Sequence, residues 1–152
     1  MTDQQSIKDF APTLERQNKP VSSLPDTTLV TSTPPSFSEN EVKTFLKDVY
    51  GVIGGLTPLP SERDLNYLVT TETKKYVLRI SNEAEPKEHI DFGTALLTHV
   101  EEKAPHLPIP SLVLNNNDKL ISTLNNAEGK ELSARLAKYH DGIPLSKVTV
   151  DQ

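Results

Sequence analysis

One helix is marked at both ends by the sequence itself, in the stretch FSENEVKTFLKDVYG at residues 37–51. Ser38 is a favourable N-cap, and Glu41 three residues later completes a capping box. Gly51 suits the left-handed position that ends many helices. The apolar residues between these signals recur at helical spacing, which predicts one buried face formed by Val42, Phe45, Leu46, Val49 and Tyr50.

The segment before this helix has a different composition. Residues 1–36 carry many Ser, Thr and Gln residues, a single aromatic residue, Phe10, and the prolines Pro12, Pro20, Pro25, Pro34 and Pro35. Such a segment buries too little apolar surface to offset its loss of conformational entropy. We therefore expect residues 1–36 to form a disordered tail and the folded domain to begin at residue 37.

The overall composition argues against several classes of protein. The 152 residues are enough for one domain, and a net charge of -5 argues against nucleic acid or an anionic membrane as a partner. Because the chain has no cysteine, disulfides and thiolate metal sites are excluded. No apolar run approaches the ~20 residues of a membrane span, and the N-terminus lacks the apolar core of a signal peptide. We therefore expect a cytoplasmic protein.

After the first helix, the sequence pattern alternates between short strands and one further helix. A hairpin is predicted at residues 66–81, followed by a helix at 86–103 with an apolar face formed by Ile90, Ala95, Leu96, Leu97 and Val100. Further strands are expected at residues 52–60, at 111–124 around an Asn-rich turn, and from 131 onward. This order predicts an α+β fold, in which a curved antiparallel sheet carries a leading helix and a second packed helix.

Two kinase-like motifs overlap in HIDFG at residues 89–93, and neither is convincing. One aspartate, Asp91, would have to be both the base of an H-x-D motif and the metal ligand of a D-F-G motif. The asparagine that follows a catalytic aspartate in kinases is replaced by Leu96. We therefore assign no catalytic or metal-binding residue, and the 4 histidines show no metal-ligand spacing.

The stretch LPSERDLNYLV at residues 59–69 carries more charge than a turn between two strands needs. Farther along, Arg79 lies between apolar neighbours in YVLRI, where an arginine is costly unless it meets an acid or an anion. A polar hairpin loop followed by a strand with one inward cation can hold the phosphates of a nucleotide. A charged hairpin without a ligand explains the same residues, so the pattern alone leaves both interpretations open.

A resemblance to one enzyme family extends over three segments: LPSERDLNYLVTTETKKYVLRISNEAEP, HIDFGTALLTHVEEKAPHLPIPSLV and ARLAKYHDGIPLSKV. They resemble the N-terminal lobe of aminoglycoside phosphotransferase-like small-molecule kinases, and among these most closely the hydroxylysine kinases. The resemblance implies that residues 37–148 form a protein-kinase-like, nucleotide-binding lobe. It also implies purine nucleotide, GTP or ATP with Mg²⁺, as the ligand of that lobe.

The resemblance further implies which residues bind the nucleotide. The loop after the first strand would position it, Leu59 would help to form the floor of the base pocket, and the backbone of the last strand's end would meet the purine edge. The residues implied in these roles and in phosphate binding are Leu59, Ser61, Glu62, Arg63, Asp64, Asn66, Arg79, Tyr139 and His140.

Arg79 would stand where relatives have the strand lysine that contacts the α- and β-phosphates. The usual acidic partner on the following helix is replaced by Gly93 and Thr94, so Glu88 or Asp91 is expected to orient Arg79 instead. Arginine keeps the positive charge of lysine and presents it as a planar fork with a different geometry.

The family's catalytic residues belong to a C-terminal lobe, and no H-G-D-x-x-x-x-N motif occurs in the 152 residues. The resemblance therefore implies a truncated or partial kinase that transfers phosphoryl groups to a hydroxylated amine such as 5-hydroxy-L-lysine and is inactive alone. The alternative is a non-catalytic regulatory or interaction module with the same fold. Because the surface that meets a second lobe would be uncovered, self-association is also expected.

Overall fold

The computed structural model describes residues 32–143. They form two helices and five strands, which are α1 (Glu39–Tyr50), β1 (Gly55–Leu59), β2 (Leu65–Thr70), β3 (Lys75–Ile80), α2 (Lys87–Lys103), β4 (Ser122–Asn125) and β5 (Glu131–Lys138). The strands build one sheet in the order β1-β2-β3-β5-β4 with antiparallel neighbours throughout. This arrangement confirms the predicted α+β fold, in which two helices accompany an antiparallel sheet.

Helix α1 begins and ends where the sequence indicates. The Ser38 Oγ accepts a hydrogen bond from the backbone N–H of Glu41, and the Glu41 carboxylate accepts one from the Ser38 N–H at 2.8 Å. Gly51 has a φ of 66° at the other end. Two carbonyls of the last turn are also satisfied, because Asn116 donates its backbone N–H to Val49 and its side-chain amide to Asp48. The Asn-rich turn therefore closes the C-terminus of this helix.

The main hydrophobic core lies between α1 and one face of the sheet. Every second residue of the strands points toward α1, as the pleat of a β-strand requires. The buried core consists of Val42, Phe45, Leu46, Tyr50, Tyr67, Val69, Leu78, Ile80, Leu132, Ala134 and Leu136. Helix α1 thus covers one face of the sheet, and the opposite face is available for a functional site.

Helix α2 lies on that opposite face and turns a different side to the sheet than its apolar pattern indicates. Its buried residues are Ile90 and Thr94, whereas Ala95 and Leu96 are exposed. Thr94 accepts a hydrogen bond from Arg135 of β5, so the helix packs against a charged strand residue. The predicted inward direction of Ala95 and Leu96 is therefore wrong, because α2 turns Ile90 and Thr94 toward the sheet instead.

The predicted pair of strands at residues 111–124 is only partly formed. Residues 122–125 make up β4, and the earlier half contributes a single bridge between Leu112 and Ala137 of β5. After that bridge the chain turns, because the side-chain oxygen of Asn115 accepts the backbone N–H groups of Asn117 and Lys119 that a strand ladder would use.

Other expectations concern parts of the chain that are described incompletely. Most of the predicted tail, residues 1–31, and residues 144–148 of the predicted lobe lie outside the described residues. Within the described range, the Thr33 carbonyl accepts a hydrogen bond from the Asn82 side chain at 2.8 Å. Neither helix of residues 32–143 combines the length and apolar content that a bilayer span requires. Disorder of residues 1–36 and a cytoplasmic location stay predictions.

Candidate functional site

A row of four side chains crosses the sheet on the face opposite α1. Leu59 pairs with Asn66, Asn66 with Arg79, and Arg79 with Arg135 in the registers of β1, β2, β3 and β5. Directly paired residues of antiparallel strands point to the same face, so these four side chains lie side by side. Three predicted site residues are therefore brought together, and Arg135 joins them.

Arg79 is held by two carboxylates. Its Nη2 lies 2.7 Å from Asp64 Oδ2 and 3.3 Å from Glu85 Oε2. Asp64 belongs to the β1–β2 loop, whereas Glu85 precedes α2. The expectation that Glu88 or Asp91 orients Arg79 is wrong, because Asp91 pairs with Lys87 at 2.6 Å and the chain brings Glu85 to Arg79 before the helix begins.

The β1–β2 loop is fastened to the end of β3 by Asn82, which is 4% exposed. The Asn82 backbone N–H donates to Asp64 Oδ1 at 3.0 Å, and its side-chain amide donates to the Arg63 carbonyl at 3.1 Å. Within the loop, the Asp64 N–H donates to Ser61 Oγ at 3.2 Å. The charge in this loop is thus partly structural, since Asp64 joins the loop to both Asn82 and Arg79. Ser61, Glu62 and Arg63 are exposed at its tip.

Arg135 is the residue of this site that the sequence interpretation missed. It is 8% exposed, and its Nη1 donates to Thr94 Oγ1 at 3.2 Å. Burial and the neighbouring Arg79 charge lower the pKa of Arg135, while Glu85 and Asp64 act in the opposite direction. The signal was present in SARLAKY, where Arg135 stands between apolar residues as Arg79 does in YVLRI.

A cavity of about 420 Å³ lies beside the two arginines. Its lining is mostly apolar and includes Val77, Arg79, Leu97, Leu112, Arg135, Ala137, Tyr139 and His140. The predicted residues Arg79, Tyr139 and His140 therefore meet in one place. The Tyr139 N–H donates to the Lys75 carbonyl at 3.0 Å and is used within the sheet.

The other predicted residues lie elsewhere around Arg79. A smaller polar cavity of about 150 Å³ is lined by Arg63, Asp64, Arg79, Asn82, Glu85 and His89. Asn66 lies next to Arg79 in the cross-strand row and Leu59 lies beyond Asn66, whereas Ser61 and Glu62 line neither cavity. The two cavities meet at Arg79, which lines both.

Two buried polar atoms of this row have no hydrogen-bond partner, the Oδ1 of Asn66 and the Nε of Arg79. An unpaired buried polar atom is costly, and a ligand is one way to satisfy it. The unpaired Nε–H and the two guanidinium charges fit an anionic group. The described residues do not fit a protein-held divalent cation equally well, because residues 32–143 contain no cluster of three or more His, Asp or Glu side chains.

The fold is that of the kinase-like lobe seen in several small-molecule kinases of known structure. A microcompartment-associated aminopropanol kinase matches with a TM-score of 0.59 at 15% identity, covering 72% of this chain and 34% of that one. An amicoumacin kinase bound to AMP-PNP and Ca²⁺ matches with a TM-score of 0.58 at 16% identity, covering 70% and 32%. A spectinomycin phosphotransferase bound to ADP and spectinomycin matches with a TM-score of 0.52 at 14% identity, covering 68% and 30%.

Residues 55–152 match the phosphotransferase enzyme family, and the chain belongs to that family. The homoserine kinase of Zymomonas mobilis is 32% identical over 93 residues, which are 59% of this chain and 28% of that protein. The homoserine kinase of Methylobacillus flagellatus is 34% identical over 80 residues, which are 53% of this chain and 22% of that protein. The chain thus spans about a quarter of the length of these relatives. The family resemblance is confirmed, whereas hydroxylysine kinase in particular stays a prediction.

Proposed function

We propose that this chain provides the nucleotide-binding lobe of a small-molecule kinase, which transfers the γ-phosphoryl group of ATP or GTP to a hydroxylated amine. The observation that carries the proposal is the position of Arg79 and Arg135 at one end of an apolar cavity that reaches Tyr139 and His140. An apolar slot with cations at one end suits a ligand with a planar base and a charged phosphate chain.

The base would enter the apolar part of the cavity. Val77 and Ala137 are direct cross-strand partners there, and both present small side chains to the face of a bound ring. His140, just beyond β5, also lines the cavity, and its backbone carbonyl and N–H groups would meet the edge of the base. The side chains alone do not distinguish adenine from guanine, so both nucleotides belong to the proposal.

The phosphates would lie against the arginines. Arg79 keeps a free Nε–H, but its charge is shared with Asp64 and Glu85. A phosphate group therefore has to compete with two carboxylates already in place, and we expect weak binding by this chain alone.

The negative charge of the phosphates would be offset in part by Mg²⁺ bound together with the nucleotide. Asp64 and Glu85 are the nearest acids to the proposed phosphate position, and both contact Arg79. We propose that the protein ligands of the metal and the base for the acceptor hydroxyl lie outside residues 32–143. The chain alone is then expected to bind nucleotide without transferring phosphoryl groups.

The proposed acceptor is a small molecule with a hydroxyl and an amino group. Homoserine and aminopropanol, which name the kinases that this chain resembles in sequence and in fold, are both of this class. The substrate that we propose within it is 5-hydroxy-L-lysine.

A phosphoryl-transfer assay tests the proposal. The purified chain is incubated with Mg²⁺ and γ-labelled ATP or GTP, with 5-hydroxy-L-lysine, homoserine or aminopropanol as acceptor, alone and with the C-terminal lobe of a homoserine kinase added. We expect no transfer by the chain alone and measurable transfer with the added lobe. If the chain alone transferred phosphoryl groups and Asp91→Asn abolished this transfer, HIDFG would be a catalytic motif, contrary to our interpretation. Nucleotide binding without transfer in either arm would favour the regulatory module.

A further inference from the structure

Arg79 and Arg135 face each other across β3 and β5, yet their surroundings differ. Arg79 contacts two carboxylates, Asp64 and Glu85. Arg135 forms no ion pair within the described residues, and its hydrogen-bond partner there is the neutral hydroxyl of Thr94. Of the two cations at this end of the cavity, Arg135 is therefore the one that no carboxylate of the described residues contacts.

Helix α2 presents uncharged residues to this arginine. The side chain of Arg135 extends toward Gly93 and Thr94, and a Cβ placed on Gly93 would lie 3.6 Å from Arg135 Nη1. Neither residue offers a negative charge, so the helix accommodates the guanidinium without neutralising it. Holding an unpaired cation at 8% exposure is unfavourable for folding, and burial and Arg79 accordingly lower the pKa of Arg135.

We infer that Arg135 is a phosphate-binding residue of this site, placed for an anionic ligand rather than for the stability of the fold. The inference rests on the proposed nucleotide site and names a ligand-binding residue within it. A polyphosphate at the arginine end of the cavity would supply the charge that Thr94 lacks, and the planar guanidinium suits phosphate oxygens. Arg79 would serve as the second cation, oriented by Asp64 and Glu85.

Two effects of removing the charge of Arg135 are expected together for a phosphate-binding arginine but not for a structural one. Removing the charge of Arg135 should weaken polyphosphate binding about tenfold, as expected for one charge-assisted hydrogen-bonding group. Removing it should also leave the ligand-free protein equally or more heat-stable, because a costly buried charge disappears.

The experiment compares the full wild-type chain with Arg135→Gln and Arg135→Met. Lys43→Gln is the matched control. Lys43 pairs with Glu39 on the solvent-exposed surface of α1. The substitution therefore removes the same charge as Arg135→Gln does, but far from the cavity. Thermal melts are recorded without ligand and with inorganic tripolyphosphate, and adenosine binding is measured in parallel. We expect tripolyphosphate to raise the melting temperature of the wild type and of Lys43→Gln, and to have little effect on both Arg135 variants.

Three results would overturn the inference. These are an unchanged tripolyphosphate response in the Arg135 variants, the absence of any response in the wild type, and a failure of both Arg135 variants to fold, which would make Arg135 a structural residue. The adenosine measurement tests the proposed nucleotide site independently of the proposed role of Arg135. Wild-type protein that binds adenosine but not tripolyphosphate would contradict the role of Arg135 alone, and protein that binds neither would contradict both proposals.

Discussion

The carboxylate of Asp64 joins the β1–β2 loop to the third strand, because one oxygen lies 2.7 Å from Arg79 Nη2 and the other accepts the Asn82 N–H at 3.0 Å. Asp64→Asn separates these two roles, since asparagine keeps an oxygen for Asn82 and loses the charge. We expect a loss of about 1 kcal/mol in the free energy of unfolding, limited by the partial exposure of Arg79. Urea denaturation measures it.

The control for this prediction is Asp91→Asn, because Asp91 pairs with Lys87 on the surface of α2 at 2.6 Å. An exposed pair one helical turn apart contributes only about 0.3 kcal/mol. Equal losses in the two variants would show that the Asp64–Arg79 contact is an ordinary surface pair.

Gly54 is predicted to tolerate no side chain. A Cβ at this position would lie 2.5 Å from the Thr70 carbonyl oxygen, whereas a Cβ on the adjacent Gly55 would meet nothing within 4 Å. We expect Gly54→Ala to destabilise the fold by about 2 kcal/mol through displacement of the β1–β2 pair. Gly55→Ala should change the unfolding free energy by less than about 0.5 kcal/mol. Similar effects in both variants would contradict the steric explanation.

Tyr50 is expected to make the fold sensitive to alkali. Its burial raises the pKa of its hydroxyl above the usual value, although hydrogen bonds with Ser122 and the Leu136 backbone partly oppose the shift. The unfolded chain therefore loses this proton at a lower pH than the folded protein does. The stabilisation that comes from this difference between the folded and unfolded pKa of Tyr50 is fully present below pH ~10. It is lost as the pH rises through the folded-state pKa.

Tyr50→Phe removes that titration. The variant should lose about 1 kcal/mol at neutral pH, because the hydrogen bond with Ser122 disappears, and should fall less steeply in stability above pH ~10. Denaturant melts across this pH range measure both effects. An unchanged alkaline slope would show that other groups cause the sensitivity.

Arg79→Ala is expected to weaken nucleoside triphosphate binding much more than nucleoside binding. The substitution removes a cation and leaves Asp64 and Glu85 unpaired beside the phosphates, so we expect a loss of at least about tenfold for ATP. Arg79→Lys, which keeps the charge, should lose less. Calorimetric titration with ATP and with adenosine checks this, and equal losses for the two ligands would make Arg79 a structural residue only.

Local signals in the sequence were sufficient for part of this fold. Ser38, Glu41 and Gly51 delimit α1 because capping depends on residues within one turn of the helix end. Alternation along β3 likewise puts Arg79 on the face opposite Leu78 and Ile80, which lie in the core.

Features that depend on tertiary arrangement could not be predicted in the same way. Glu85 reaches Arg79 because of the path that the chain takes between β3 and α2, which no periodic pattern records. Arg135 became visible as a site residue only through the register of β5 against β3. Exposed apolar side chains such as Phe92 and Ile143 agree with an uncovered surface, but self-association stays a prediction.

The most direct test of a nucleotide site in this cavity is a titration with ADP followed by amide proton–nitrogen correlation spectra. We predict concentration-dependent shifts for Val77, Ala137 and His140, which surround the cavity, and none for Val42 or Leu46 in the core beneath α1. Binding should saturate in the millimolar range, as a partial site implies. Shifts that cluster away from the cavity, or unchanged spectra at millimolar ADP, would contradict the account.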